Sequence, residues 1–420
     1  MNILLLGSGG REHALAWKLA QSPELGQFYA LPGNPGIAEH ADLVEGIPLS
    51  AHDTLVTWCQ DHGIEFVVVG PEAPLVAGLV DRLEAAGIPA FGPTAAAARL
   101  EGSKLFTKEL CRANGIPTAA FARFDTAAEA AAYVKAEGAP IVIKADGLMA
   151  GKGVVVALTV DDAVEAVEQV FASGGTEVLI EEFMEGEEAS LFALVDGETV
   201  VPFGSAQDHK RAFDGDLGPN TGGMGAYSPA PVLTAELERR ALDEIIRPTA
   251  RAMVAAGTPY RGVLYAGLML TKDGPKLVEY NCRFGDPECQ VLMPRFTGDL
   301  VKTLHATATG HLAEIEPIWS ADSAMTVVYA SRGYPGPHQT GTVITGLDAA
   351  AQAGALVFQA GTRRKGGDLV SNGGRVLNVT ATGPSLAEAR DRAYAAIGAI
   401  DWPDGFYRTD IGWRALGPNG

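Results

Sequence analysis

Short apolar runs alternate with amphipathic helical stretches in the first quarter of the chain. The pattern predicts strands at residues 2–7 (NILLLG) and 65–70 (EFVVVG), and helices at residues 11–21 and 76–86. Such alternation is typical of βαβ units, which form a parallel sheet covered by helices on both faces. We therefore predict an N-terminal parallel α/β domain over residues 1–103.

A second unit repeats this rhythm on a smaller scale. Strands PIVIKAD (140–146) and EVLIEEF (177–183) flank a helix predicted at residues 161–172. Glycine-rich stretches border the unit and supply backbone freedom for a hinge. Residues 120–187 are therefore predicted to form a mobile lid within a domain that spans residues 104–325.

Longer alternating strands follow the lid. The runs SLFALVDG, LYAGLML and PKLVEYNC surround a long helix predicted at residues 235–256, which favours a mostly antiparallel sheet. Residues 326–420 combine strands such as MTVVYASRGYP with one helix near residues 386–397, and are predicted to form a small β-rich C-terminal domain. The expected fold class is therefore α/β and α+β, in several domains.

Composition narrows the classes of function. The 420 residues carry 51 Asp and Glu against 32 scattered Lys and Arg, so neither nucleic acid nor an anionic membrane is an expected partner. The four cysteines, Cys59, Cys111, Cys282 and Cys289, suggest neither a disulfide framework nor a zinc site. No apolar run has the length of a signal-peptide core or a membrane span. We expect a cytoplasmic protein.

One glycine-rich loop follows the first strand. In GSGGREH, Gly7 and Gly9 allow a phosphate to approach the N-terminus of the next helix. The loop departs from the dinucleotide fingerprint, because Glu12 occupies the third glycine position and no acidic residue ends the next strand. A phosphate site for another ligand is therefore favoured, with a simple tight turn as the alternative.

A second glycine-rich loop, GLMAGKG, occupies residues 147–153. It is one residue shorter than a P-loop and has no Ser or Thr after Lys152, so a Walker-type site is rejected. We favour a mobile loop whose N–H groups, including those of Gly151 and Lys152, fold over nucleotide phosphates. A surface hairpin is the alternative.

The run KLVEYNCR decides the predicted class. Glu279, Asn281 and Arg283 are spaced by two residues, so in a strand they share one face. Alone, this pattern is more typical of a solvated edge. Lys144 ends the apolar strand PIVIK, where a charge requires an anionic partner, and Lys104 stands at a predicted helix start.

The segment EEFMEGEE adds acceptors suited to an adenine amino group and ribose hydroxyls; the residues assigned to ATP are Glu181, Glu182, Phe183 and Glu188. Together these features resemble the ATP-grasp superfamily. The resemblance implies that Lys104 and Lys144 bind the α- and β-phosphates and that Glu279 and Asn281 bind Mg²⁺ or Mn²⁺. The preceding strand, YAGLML, lacks the second metal carboxylate of many members, so phosphate oxygens and waters would complete the metal site.

Longer strings resemble the phosphoribosylamine-glycine ligase family. In chain order they are GSGGREHA, VVVGPEAPL, FGPTAAAARLEGSK, PIVIKADGLMAGKG, QDHKR, GPNTGGMGAYSPAP, EYNCRFGDPE and DIGWRA. They extend over essentially the whole chain. Met149 and Cys289 depart from the expected smaller residue and threonine, but neither change removes a catalytic group.

The resemblance implies ATP-dependent ligation of glycine to 5-phosphoribosylamine in purine biosynthesis, with a glycyl phosphate intermediate. The residues implied to line the phosphoribosylamine pocket are Gly9, Gly10, Arg11, Glu12, Asn34 and Glu72. Those implied to hold glycine, the transferred phosphoryl group and the reacting amine are Asp208, Lys210, Asn220, Thr221, Gly222, Gly223, Met224, Arg283, Asp286 and Glu288. Asp208, Arg283 and Asp286 are the expected catalytic residues.

For some of these residues, an ordinary structural role is the alternative to a role in the site. Asn34 and Glu72 are also typical turn residues, and the stretches DHKR and GPNTGGMG are also typical of solvated loops. His209 receives no role. Cys282 lies between two site residues and is predicted to be a core residue rather than a nucleophile.

Two rival functions are weighed. The first is another ATP-grasp ligase or carboxylase acting on a different purine intermediate, and the second is an inert nucleotide-binding regulator. The intact Glu279, Asn281 and Arg283 argue against the second rival. The expected partners are glycine, 5-phosphoribosylamine and ATP. Transient contact with the amidotransferase that supplies phosphoribosylamine stays open, as does the choice between a monomer and a weak dimer.

Overall fold

The computed structural model describes residues 1–147 and 153–417. Its first unit is a parallel sheet in the order β3-β2-β1-β4-β5. Strands β1 to β5 are Ile3–Gly7, Phe28–Pro32, Asp42–Leu43, Phe66–Val69 and Ala90–Phe91. Helices α1 to α5 are Gly10–Leu19, His52–Asp61, Glu72–Val76, Leu79–Ala85 and Ala95–Gly102.

Strand β1 shows why this sheet is covered on both faces. Leu4 and Leu6 belong to one buried cluster, and Ile3 and Leu5 belong to another on the opposite face. The predicted parallel α/β unit is confirmed. The helix predicted at residues 76–86 instead begins at residue 79, because Gly78 with φ +83° separates α3 from α4.

The predicted lid has its own sheet, in the order β6-β9-β7-β8. We keep the name lid for residues 120–187, whose mobility stays a prediction. Helix α6 (Lys104–Asn114) leads into it. Strands β6 to β9 are Phe121–Phe124, Ile141–Ala145, Val154–Ala157 and Val178–Glu182, and helices α7 and α8 are Ala127–Glu137 and Val160–Ala172. A separate buried cluster lies between the helices and one face of the sheet.

The lid corrects one prediction. Every strand pair in its sheet is antiparallel, whereas the sequence rhythm suggested a smaller copy of the parallel unit. The short connection between β7 and β8 suits antiparallel neighbours, since a parallel neighbour requires a long crossover. Strands β6 and β8 and helix α7 are the elements of this unit that the sequence interpretation missed.

The largest sheet has nine strands and is antiparallel throughout. Its order is β16-β15-β10-β11-β14-β17-β21-β18, with β22 paired to β17. Strands β10 to β16 are Glu187–Asp196, Thr199–Asp208, Arg211–Phe213, Leu217–Asn220, Gly225–Ser228, Arg261–Thr271 and Gly274–Asn281. Strands β17 to β22 are Ser323–Ser331, Leu356–Gln359, Thr362–Lys365, Asp368–Ser371, Arg375–Gly383 and Gly405–Phe406. Two two-stranded sheets, β12-β13 and β19-β20, lie beside it.

Helices α9 to α15 are Ala235–Ala241, Arg247–Ala255, Cys289–Arg295, Leu300–Ala308, Leu347–Gln352, Leu386–Ile397 and Trp413–Leu416. The long helix predicted at residues 235–256 is helical throughout but contains a π-helical turn at Leu242–Ile246. Pro248 follows this turn and has no N–H to donate to the preceding turn of helix. Short 3₁₀ turns occupy Ile37–Glu39, Asp214–Asp216 and Leu312–Glu314.

The C-terminal region is β-rich, as predicted, but its sheet is not separate. Strand β17 pairs with β14, so the large sheet runs without interruption from the middle of the chain into the C-terminal region. Among the residues that the structure describes, no helix is long and apolar enough to span a bilayer.

Candidate active site

A β-bulge in β16 turns Glu279 and Asn281 away from the core. Glu279 lies near both Lys104 and Lys210, and we call the region between these two lysines the cleft. Leu277 and Tyr280 are both buried, although strict alternation would place them on opposite faces. The register against β15 shifts at this point, leaving Val278 as an extra residue between Leu277 and Glu279. Glu279 and Asn281 therefore point away from the core together.

Arg283 lies beyond the end of β16, so the prediction that it shares the strand with Asn281 is wrong. Its guanidinium still enters the site, with Nε 3.3 Å from Glu72 Oε2 and Nη2 3.0 Å from Glu101 Oε1. Glu72 and Glu101 raise the pKa of Arg283 against the opposing effect of burial. Arg283 therefore remains a fixed cation at the site.

Glu101 is a site residue that the sequence interpretation missed. Its Oε2 accepts hydrogen bonds from Cys282 N and Sγ at 2.8 and 3.0 Å, while Oε1 faces Arg283. Burial raises the pKa of the Cys282 thiol, which supports the prediction of a core residue. The only sequence signal for Glu101 was its place in RLEGSK, where attention fell on Lys104.

A buried carboxylate joins two lysines on the lid side of the cleft. Glu181 Oε2 lies 2.9 Å from both Lys108 Nζ and Lys144 Nζ. The side chains of all three are at most 6% exposed. Within residues 1–147 and 153–417, Glu181 Oε1 has no hydrogen-bond partner. Lys108 was missed, although its position one helical turn after Lys104 gave a weak signal.

Lys104 begins α6, where Asp146 caps the helix. Asp146 Oδ1 accepts the Lys104 N–H at 2.6 Å, and Oδ2 accepts the Ser103 hydroxyl at 3.1 Å. The Lys104 ammonium donates to the Gly147 carbonyl at 2.8 Å. Burial lowers the Lys104 pKa, while the nearby Glu279 and Asp146 carboxylates oppose that change. The expected loop residues Met149, Gly151 and Lys152 lie outside the described part of the chain.

One face of the lid sheet is turned away from α7 and α8. Val142 pairs directly with Val156 on one side and Glu181 on the other, so these three side chains share this face. Val156 is 42% exposed. The open face therefore combines apolar area with the buried lysine pair.

The other residues of EEFMEGEE that were expected to bind ATP are Glu182, Phe183 and Glu188, and all three are more exposed than Glu181. Glu182 forms an ion pair with Lys276 of β16 at 3.1 Å, which connects the lid to the large sheet. Phe183 is partly exposed. Glu188 does not stand free, because its Oε2 lies 2.5 Å from Lys210 Nζ.

Carboxylates predominate at the other end of the cleft. Asp208 ends β11, and its pKa is raised to about 6 by burial and by the Glu288 and Glu188 carboxylates, with Lys210 opposing. The Tyr265 hydroxyl donates to Glu288 Oε1 at 2.9 Å. This end of the cleft therefore suits a small ligand that carries a positive charge.

Arg375 connects two loops of the site. Its Nη1 donates to the main-chain oxygens of Gly222 at 2.7 Å and Asp286 at 2.6 Å. Burial raises the pKa of Asp286, but Arg375 and Arg11 outweigh it, so the net shift is downward and Asp286 stays ionised. Arg375 was missed because an isolated arginine in SNGGRV carries no signal of a distant loop contact.

The first glycine loop contains an internal hydrogen bond. The Gly9 N–H donates to Glu12 Oε2 at 2.7 Å, and Glu12 Oε1 lies 2.5 Å from Arg11 Nε. A Cβ on Gly9 would lie 3.2 Å from Asp286 Oδ2. The Gly9 N–H is therefore satisfied by Glu12 at this helix end, and a role for Gly9 in phosphate binding stays a prediction.

Asn34 organises a loop with every polar group of its side chain. Nδ2 donates to the carbonyls of Ser8 and Gln359, both at 2.8 Å, and Oδ1 accepts the N–H groups of Gly36 and Ile37 at 2.9 Å. Asn34 thus shapes the pocket wall rather than offering a free group to a ligand.

The glycine-rich segment after β13 is partly satisfied internally. Thr221 Oγ1 donates to the Lys210 carbonyl at 2.9 Å, and the Gly222 N–H donates to the Tyr334 hydroxyl at 3.2 Å. Asn220 is exposed at the end of β13. The Gly223 N–H donates to Thr221 Oγ1 at 3.0 Å.

Met224 is not in the site, contrary to expectation. It is fully buried in the C-terminal core, and its N–H and carbonyl pair with His209 and Val328. Met224 lies immediately before β14, where its main-chain bonds continue the sheet and its side chain enters the core, which a glycine-rich string does not reveal.

Comparison with known proteins agrees with this geometry. The chain matches the phosphoribosylglycinamide synthetase N domain over residues 1–101, its ATP-grasp (A) domain over 102–289 and its C domain over 324–414. It is 60% identical to the phosphoribosylamine–glycine ligase of Rhizobium meliloti (strain 1021), over 99% of both chains.

Solved structures extend the comparison. A crystal structure of the Thermotoga maritima phosphoribosylamine–glycine ligase is 35% identical, with a TM-score of 0.85 over 98% of this chain and 100% of that one. A biotin carboxylase domain from Hydrogenobacter thermophilus, 18% identical with a TM-score of 0.72 over 97% and 91%, shares the fold. The chain therefore belongs to the phosphoribosylglycinamide synthetase family and is an ATP-dependent ATP-grasp ligase.

Proposed function

We propose that this chain ligates glycine to 5-phosphoribosylamine, giving glycinamide ribonucleotide, ADP and phosphate in purine biosynthesis. The observation that carries the proposal is the division of one cleft into two ends of opposite charge. Lys104 and Lys144 suit the phosphates of ATP, and the carboxylate of Asp208 suits the ammonium of glycine. Family membership over the whole chain supports the same assignment.

Adenosine binds between the lid face and the large sheet. The unpartnered Glu181 Oε1 suits the amino group of adenine, and Val156 supplies apolar surface on the same face. Glu182, Phe183 and Glu188 complete the nucleotide rim. Gly151 and Lys152, which lie outside the described residues, keep their proposed role over the phosphates.

Glu279 and Asn281 would hold Mg²⁺ or Mn²⁺. These hard cations prefer oxygen donors. Within the described residues neither side chain makes a hydrogen bond, so the Glu279 carboxylate and the Asn281 amide oxygen both fit such a cation. Among the described residues, no group of three or more His, Cys, Asp or Glu side chains could hold a metal ion. Phosphate oxygens and waters would complete the shell around Glu279 and Asn281. A bound cation would neutralise negative charge on the nucleotide phosphates.

The reaction needs an activated carboxylate. A glycine carboxylate oxygen attacks the γ-phosphorus and ADP leaves; the phosphoribosylamine nitrogen then attacks the acyl carbon and phosphate leaves. Arg283 stabilises the charge of the carboxylate and the transferred phosphoryl group. Asp286, which stays ionised, and Glu288 orient the amine and accept its proton. Positioning by these residues takes the place of a protein nucleophile.

The phosphoribosylamine pocket is assigned to the region of Arg11, Glu12 and Glu72. Burial raises the pKa of Glu72, but Arg283 and Arg11 lower it by more, so the net shift is downward. Glu72 therefore stays ionised and suits ribose hydroxyls as a hydrogen-bond acceptor. Gly9, Gly10 and Asn34 form the wall behind it, and Lys210 and residues 220–223 border the glycine end.

A carboxylase acting on another purine intermediate is the competing function. Bicarbonate is an anion, and the three carboxylates Asp208, Glu188 and Glu288 disfavour an anion beside Asp208. Comparing glycine with bicarbonate and formate as the acceptor in an ADP-release assay separates the two functions.

Oxygen-18 in the carboxylate of glycine tests the path. One labelled oxygen should appear in inorganic phosphate in each turnover, without AMP, because glycine attacks the γ-phosphoryl group. Label in AMP would show an acyl adenylate instead. Label retained entirely in glycine and product would exclude transfer through phosphate.

We place the reaction in the cytoplasm, which the four buried free thiols support. The proposed assembly is a monomer or weak dimer. Transient contact with the amidotransferase that makes phosphoribosylamine belongs to the same proposal, since that amine is labile.

A further inference from the structure

The last described residues of the chain bind the loop that carries Asp208. We call residues 408–414 the C-terminal strap and residues 208–224 the substrate loop. Arg408, 1% exposed, donates through Nη1 to Asp216 Oδ1 at 2.8 Å and to the Arg211 carbonyl at 3.1 Å. Its Nε and Nη2 hold Asp410 at 2.7 and 2.8 Å. Asp410 is thereby fixed for its own contact with the loop.

Arg414 connects the strap to Asp208 itself. Its Nη1 donates to the Asp208 carbonyl at 3.1 Å, and its Nη2 donates to Asp216 Oδ2 at 2.7 Å. One planar guanidinium thus connects Asp208 with Asp216 in the substrate loop.

His209, which had no role in the sequence interpretation, receives one here. Its Nε2 accepts the Gly412 N–H at 3.0 Å, so the residue next to Asp208 is also anchored. Burial lowers the pKa of His209, which keeps the ring neutral and able to accept, against the opposing Asp216. Arg408 and Arg414 face the same ring and act in the same direction as burial.

Further bonds run along the strap. Thr409 donates its N–H to Asp214 Oδ1 at 2.8 Å, and the Gly215 N–H donates to Asp410 Oδ2 at 2.8 Å. Ile411 closes over Gly225, where a Cβ would lie 2.8 Å from Ile411 Cδ1. The polar contacts therefore extend from Asp208 to Asp216, the first half of the substrate loop.

The loop has few apolar anchors of its own. Phe213 and Leu217 are 50% and 65% exposed, and Gly215 and Gly218 have positive φ. A glycine-rich loop with exposed apolar residues loses much conformational entropy when it is ordered. The strap supplies the polar contacts that hold it in one conformation.

We propose that the C-terminal strap positions Asp208 for glycine, and that Arg414 is its positioning residue. The proposal rests on the proposed function, in which Asp208 binds the glycine ammonium. It gives the terminal motif DIGWR, which the catalytic assignment left unused, a specific effect on one substrate.

The test measures KM and kcat for each substrate in R414A, R414K and R392A. Arg392 is a matched control, because its Nη1 also donates to a main-chain carbonyl, that of Thr382, at 2.8 Å within the C-terminal region but away from the loop. In R414A, KM for glycine should rise about tenfold, while kcat and KM for ATP change by less than about twofold. R392A should match wild type.

R414K tests the bridging geometry while keeping the positive charge. Lysine keeps the charge opposite Asp216 but cannot span Asp216 and the Asp208 carbonyl with a planar fork, so KM for glycine should lie between wild type and R414A. An unchanged KM for glycine in R414A, equal rises in KM for glycine and ATP, or a value for R414K equal to wild type would each overturn the proposal. If R414A fails to fold, R414K decides alone.

The wild-type assay separates the two proposals. If ADP release does not depend on glycine, the proposed function fails and the strap proposal fails with it. If ADP release does depend on glycine, the variants alone decide whether the strap positions Asp208.

Discussion

The two ends of the cleft show how one acidic chain accommodates ligands of opposite charge. At the lid end, Lys104, Lys108 and Lys144 surround Glu181, whereas at the loop end Glu188, Glu288 and Lys210 surround Asp208. The formal net charge of −19 predicts neither arrangement. Local groups within a few ångströms decide what each end binds.

The two ends are also held in different ways. The lysine end is built from α6, β7 and β9, with Glu181 as a buried centre. The carboxylate end depends on loop residues fixed from the C-terminal region by Arg375 and Arg414. Substitutions at the first end should therefore affect ATP and catalysis, and those at the second should affect glycine.

Glu279→Gln at the boundary between the ends should have the largest effect. The amide keeps the shape but removes the carboxylate that faces Lys104 and is proposed to hold the metal, so kcat should fall by about a thousandfold. Steady-state kinetics at saturating magnesium measure this, with the exposed Glu198→Gln as control. Wild-type turnover in Glu279→Gln would refute the metal assignment.

Arg283→Ala should lower kcat by about a hundredfold, because one lost charge contact in the transition state is worth roughly 3 kcal/mol. The ion pairs with Glu72 and Glu101 show that the guanidinium is fixed before substrate binds. Both KM and kcat should be measured. An effect confined to KM would mean that Arg283 binds only ground-state substrate.

Acid should weaken the carboxylate end. Asp208 must be ionised to hold an ammonium, and its raised pKa of about 6 means that it gains a proton as pH falls through that value. The ratio kcat/KM for glycine should therefore fall about tenfold per pH unit below 6. In Asp208→Asn, kcat/KM for glycine should be low at every pH, without the additional fall below pH 6. An unchanged fall below pH 6 in the variant would mean that another group causes it.

Cys289→Thr should have the smallest effect. The Cys289 thiol lies 3.7 Å from the Arg11 carbonyl, and a threonine hydroxyl can donate the same bond more strongly. We expect kcat within about twofold of wild type and stability up to about 1 kcal/mol higher. Chemical denaturation measures stability, with Cys289→Val as a donor-free control that should not gain it.

The parallel sheet and the class of site could be predicted from the sequence, because both depend on local pattern. Runs such as ILLL and FVVV indicate buried strands wherever they occur, and Glu279 and Asn281 follow the two-residue period of a strand. The bulge at Val278 could not be predicted, since it exists only relative to β15.

The missing site residues share a physical cause. Glu101, Lys108 and Arg375 act through partners that are far away in sequence, such as Arg283, Glu181 and Asp286. Residue type alone does not distinguish such a buried pair from a surface charge. Met224 shows the converse error, because a position inside a functional string faced the core.

The uninterrupted nine-stranded sheet has a consequence for synthesis of the chain. Strand β14 ends at Ser228, but its partner β17 begins at Ser323, so one edge of β14 stays unpaired while that stretch is translated, for about 5–20 s. The lid, whose strands and core lie within residues 121–182, has all its partners earlier. A nascent chain thus completes its lysine end first, and its glycine end only after residues 408–414 have been made.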